Sequence, residues 1–127
     1  MSQPVVHFEI IGAEPAKLRE YYAALFGWEF QVGDATTDAV SRPGEYGFIN
    51  GDVSGGGING GVGGGAGFTP RVLFYVGVPD VEAALRKAEE LGGRRVLGPA
   101  RAGGFAVGHF TDPEGNLVGV AGQEESR

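Results

Sequence analysis

At 127 residues, 42% of them hydrophobic and 20% charged, the chain has room for one domain with its own core. A formal net charge of -6 speaks against nucleic-acid phosphates and anionic membrane surfaces as partners. There is no cysteine, so disulfides, thiol nucleophiles and thiolate metal sites are excluded. No apolar run approaches the ~20 residues of a membrane span and no signal segment opens the chain, so a cytoplasmic protein is expected.

Val6, Phe8 and Ile10 alternate with His7, Glu9 and Ile11 and predict a half-buried strand with the apolar set beneath a helix. Pro15 suits a first helical turn, Leu18, Tyr21, Tyr22, Leu25 and Phe26 form one apolar stripe, and Gly27 ends the helix. Trp28, Phe30 and Val32 alternate as a second strand, with Trp28 in the core. Residues 33–44 read as a loop, and Tyr46–Asn50 and Gly57–Gly61 as two short strands.

Val72, Phe74, Val76 and Val78 alternate again. Pro79 opens a second helix, with Val81, Ala84, Leu85, Ala88 and Leu91 on one face, and Gly92-Gly93 closes it. Arg95–Leu97, Phe105–Phe110 and Leu117–Ala121 read as strands, with a turn at Asp112-Pro113-Glu114-Gly115 and a frayed tail from Gln123. Residues 51–67 hold 10 of the 25 glycines. A phosphate-cradling loop would need a following Lys-Ser/Thr and a helix, so a flexible linker running on from a glycine-rich strand is the better reading.

The two halves repeat. Val5–Ile10 aligns with Arg71–Val76 at an offset of 66, and the same offset sets Leu25 on Leu91 and Gly27 on Gly93. Strand, helix and three strands occur twice, within a single domain at 4–122: module one at 4–61, a linker at 62–70, and module two at 71–122.

This pattern resembles the vicinal oxygen chelate superfamily of glyoxalases, extradiol dioxygenases and bleomycin-resistance proteins. The resemblance rests on His7-Phe8-Glu9-Ile10, Tyr21–Trp28, Val78–Ala84 and Phe110–Asn116. It implies an α+β fold of two βαβββ modules, each a half-barrel, around a concave cavity. It also implies four metal-ligand positions, a His or Glu on the first strand and a carboxylate on the last strand of each module. Here those positions carry His7, Leu73, Gly57 and Gly119, so one of the four has a donor. An ion needs about three or four protein donors. The expectation is therefore no metal and no cofactor, with the glycines widening the space that metal would fill.

A replacement ligand set of His7, Glu9 and His109 would need His109 to converge on the first strand. His7 and Glu9 share a strand face. As a functional pair they would be catalytic acid–base groups, with Glu9 raised by desolvation or ion-paired to His7. The bland reading is a hydrogen-bonded pair that orders the cavity. Parity gives His7, Glu9, Asn59, Leu73, Tyr75 and Gly119 one ligand-binding face, with His109 also a ligand-binding candidate, and packs Val72, Phe74 and Val76 under the helix. Phe74→Ala should then cost roughly 3–5 kcal/mol and Tyr75→Ala much less. The leading expectation is a metal-free protein, homodimeric, that binds a small molecule. A lyase or isomerase using His7 and Glu9 is the second, and a drug-sequestering resistance protein the third.

Overall fold

The computed structural model describes residues 2–33, 37–51 and 57–123. The expected tail beyond Gln123 and residues 52–56 of the glycine-rich stretch lie outside the described residues. Ten elements follow in order: β1 (Val5–Gly12), α1 (Pro15–Phe26), β2 (Gln31–Gly33), β3 (Tyr46–Ile49), β4 (Asn59–Gly64), β5 (Arg71–Gly77), α2 (Val81–Glu90), β6 (Arg94–Ala102), β7 (Phe105–Thr111) and β8 (Leu117–Gln123). The fold is α+β, and βαβββ occurs twice. Two compact units emerge, one of residues 7–72 and one of residues 1–6 with 73–127.

In the first unit the strands run β2-β3-β4-β1. β1 and β4 are parallel, with His7 opposite Asn59 and Glu9 opposite Gly61. β3 pairs antiparallel with both β4 and β2. The expected second strand shrinks to Gln31–Gly33, leaving Trp28 and Phe30 ahead of it. β4 continues through Gly64, three residues past the expected module edge.

α1 begins at Pro15, whose missing N–H is not needed in the first turn. It ends at Gly27, where φ is +74° and the backbone N–H returns to the carbonyl of Ala23. Its stripe is not buried as expected: Tyr21, Leu25 and Phe26 are exposed, and Pro15 is its one fully buried residue. Tyr22 and Phe26 instead join Phe8 of β1 around half-buried Trp28, at centroid distances of 5.5, 5.1 and 5.2 Å.

In the second unit the order is β5-β8-β7-β6. β5 and β8 are parallel, with Tyr75 opposite Gly119, and β7 is antiparallel to β8 and β6. β6 is far longer than the expected Arg95–Leu97. The Asp80 side chain caps α2 by accepting from the N–H of Ala83 at 3.0 Å. Val78, Val81, Leu85 and Val120 form the core, and Gly108 admits Leu85 where a Cβ would stand 2.7 Å from Cδ1.

α2 lies on β6, β7 and β8. That is why the inside–outside assignment of β5 fails. Val72 and Phe74 are 70% and 43% exposed, while Leu73 and Tyr75 are buried.

The Asp112–Asn116 turn has a structural explanation. The Asp112 carboxylate accepts from the backbone N–H groups of Glu114 and Asn116 and from the Asn116 side chain, all within 3.0 Å. The Asn116 hydrogen bonds, chiefly from its side chain, hold the Asp112 carboxyl below its usual range. This segment is a self-satisfied turn.

Candidate functional site: tyrosine–histidine pairs over glycine

β1 presents His7, Glu9 and Ile11 on one face, and β4 presents Gly61 and Gly63 beside them. Neither glycine has a side chain to fill that face. The ring of Tyr46, from β3, lies over both. A Cβ on Gly61 would overlap the ring, and one on Gly63 would stand 2.6 Å from it. On the opposite face Gly60 carries the ring of Phe8 in the same way. The glycine run is thus a strand floored for aromatic rings, which accounts for a composition that as sequence suggests a linker.

Tyr46 is the residue that sequence reasoning missed, and it organises the site. Its hydroxyl donates to Glu9 Oε2 at 2.8 Å, and its oxygen lies 2.8 Å from His7 Nε2. A tyrosine hydroxyl has one proton. With that proton on the Glu9 bond, His7 must carry hydrogen on Nε2 and donate it to Tyr46. Burial lowers His7 from 6.5 to about 4, so the imidazole is neutral at pH 7. Glu9 is 3% exposed. A relay through one hydroxyl therefore links a neutral imidazole to a buried carboxyl group.

The second module holds a counterpart with its strands exchanged. Here the tyrosine comes from the first strand of the module and the histidine from the third. Tyr75 lies over Gly119, where a Cβ would stand 2.5 Å from the ring, and its hydroxyl is 2.7 Å from His109 Nε2. Tyr75 is 2% and His109 1% exposed. Leu73 is also buried, on the Tyr75 face of β5.

The expected ligand-binding residues divide accordingly. His7 and Glu9 meet through Tyr46, and Tyr75, His109 and Gly119 meet in the second unit. Asn59 is exposed and uses its side-chain oxygen to accept from the Gly51 N–H at 2.9 Å. Gly57 lies outside β4, exposed. The residue paired with Glu9, as Gly119 is with Tyr75, is Gly61. The expected widening is reversed at Gly119, where the Tyr75 ring occupies the space, whereas a Cβ on Gly57 would meet nothing within 4 Å.

The residues do not fit the superfamily's metal. Gly61, Gly119 and Leu73 offer no donor, and a carboxylate at either glycine would collide with a ring. Among the described residues no three His, Asp or Glu side chains gather as a metal-binding group, the set of His7, Glu9 and His109 included.

Known proteins place this architecture. A glyoxalase-like domain model matches residues 7–121. No curated protein matches the chain. The fold is similar to that of hypothetical protein BH1468 from Bacillus halodurans C-125, at 13% identity and a TM-score of 0.69 over 100% of this chain and 99% of that one. It is also similar to an NAD-dependent benzaldehyde dehydrogenase from Legionella pneumophila, at 11% identity and 0.62 over 93% and 98%. A third similar structure is Streptomyces coelicolor methylmalonyl-CoA epimerase in complex with 2-nitronate-propionyl-CoA, at 17% identity and 0.65 over 98% and 100%. With two βαβββ modules and a match over nearly its whole length, the chain belongs to the glyoxalase-like domain family of the vicinal oxygen chelate superfamily.

Proposed function

We propose that this chain is a metal-independent small-molecule-binding domain. The observation that carries the reading is the tyrosine ring lying over each last-strand glycine with its hydroxyl on a histidine. Polar, directional groups stand where the superfamily's chelate would be. Hydroxyl, imidazole and carboxyl groups on an apolar floor are the sparse polar set that orients a bound organic molecule. The similar epimerase structure, holding a CoA derivative, is consistent with this use of the fold. A thermal-shift screen of small organic molecules, repeated on Tyr46→Phe, tests it. Ligands that stabilise the wild type should stabilise Tyr46→Phe less, and a screen without any stabilising compound would refute the reading.

A second reading is favoured by the relay itself. With Glu9 as carboxylate, a proton taken from a ligand at His7 Nδ1 would let Nε2 pass its proton to Tyr46 and Tyr46 pass its own to Glu9, leaving neither an imidazolate nor a free phenolate. That would serve a lyase or isomerase, with His7 and Glu9 as its acid–base groups. Tyr46→Phe separates the two readings: it would abolish turnover of an isomerised ligand but only weaken simple binding.

A further inference from the structure

Arg71 opens β5, and alternation places it on the same strand face as Leu73 and Tyr75. The residue is only partly buried, yet its Nε and Nη2 atoms are both inaccessible to solvent. Among the described residues neither has a hydrogen-bond acceptor. Other arginines of the chain find oxygen. Arg19 donates to the carbonyl of Glu45, Arg42 to that of Ala66, and Arg95 to both oxygens of Glu82. A buried guanidinium edge without an acceptor is costly, and such groups in folded proteins are normally met by a partner or a ligand.

The identity of the two atoms specifies the partner. Nη2 is the terminal nitrogen whose N–H runs beside Nε–H, so together they form the side-on fork of the guanidinium. That edge matches the two oxygens of a carboxylate through parallel charge-assisted hydrogen bonds. One guanidinium offsets one negative charge. A phosphate dianion would bring more charge and a third oxygen to a chain that already carries -6.

We propose that Arg71 is the anchor for a carboxylate group on the small molecule this domain binds. The assignment rests on the small-molecule-binding reading and adds the ligand's chemical class.

Calorimetric titration of the full chain with benzoate, its neutral isostere benzamide, and inorganic phosphate tests it, on wild type, Arg71→Met and Arg71→Lys. Wild type should bind benzoate about tenfold or more tighter than benzamide. Arg71→Met should lose that preference, its benzoate affinity falling to no better than its benzamide affinity. Arg71→Lys should keep the charge without the fork, retain only part of the preference, and serve if the methionine variant does not fold. An unliganded thermal midpoint for Arg71→Met at or above wild type would support the proposal, since removing an unmet buried charge relieves the fold. A marked fall would show that Arg71 is structural. Equal benzoate and benzamide affinities in wild type would overturn the anchor and leave the small-molecule reading standing, and absence of binding by either would overturn both. A preference surviving in Arg71→Met, or phosphate binding tighter than benzoate, would also overturn the assignment.

Discussion

His7 makes a pH prediction with a definite sign. Its imidazole is near 4 in the fold and near 6.5 in the unfolded chain, because burial disfavours the charged ring. The unfolded state therefore binds the proton more tightly. The stability tied to neutral His7 is fully present above about pH 6.5, falls as pH drops towards 4, and is constant below. At about 1.36 kcal/mol per pH unit the loss is up to about 3 kcal/mol. Denaturant unfolding of wild type and His7→Gln from pH 7 to pH 4 measures it. The variant should lose less stability over that range, and parallel curves would show that His7 is not desolvated. Tyr75 makes a second prediction. With its ring on Gly119 and its hydroxyl on His109, Tyr75→Ala should cost roughly 3–5 kcal/mol, as removal of a buried aromatic does. Phe74→Ala should cost less, since Phe74 is 43% exposed. Chemical denaturation giving the reverse order would restore the inside–outside assignment that alternation alone suggests.

At the scale of elements, the glycine strand decides the site. Gly61→Ala should destabilise by roughly 1–3 kcal/mol, because the new methyl meets the Tyr46 ring. Gly119→Glu should do the same through Tyr75, and pairing it with Tyr75→Ala should recover part of the loss. If the single variants unfold at wild-type denaturant concentrations, the rings do not sit on those glycines. The two helices, their glycine stops and most strands were legible in the sequence, because alternation and helical spacing survive in Val5–Ile11, Pro15–Gly27 and Val81–Gly93. The register of β4 was not, since a run of glycines has no side chains whose alternation could mark a face. That is why Gly57 stood in for Gly61. Tyr46 was missed for a related reason: its role depends on which glycine it covers, and its reach to His7 and Glu9 spans 39 and 37 positions. The exposure of Val72 and Phe74 was illegible because alternation reports two faces without saying which one a helix covers.

For the whole molecule, we expect a homodimer. Tyr21, Leu25 and Phe26 on α1, with Val72 and Phe74 on β5, are large apolar side chains exposed in the single chain, which a second copy would cover. Light scattering should give twice the chain mass over a tenfold dilution, and a constant monomer mass would refute it. On the proposed reading, tyrosine–histidine pairs stand in place of the chelate that gives the superfamily its name. Elemental analysis of the purified protein after mild chelation tests it most directly. Far less than one transition-metal ion per chain should remain. Retention of about one zinc, iron, manganese or nickel per chain would overturn it, because an ion held that firmly needs about three or four protein donors and no such group of His, Asp and Glu gathers among the described residues.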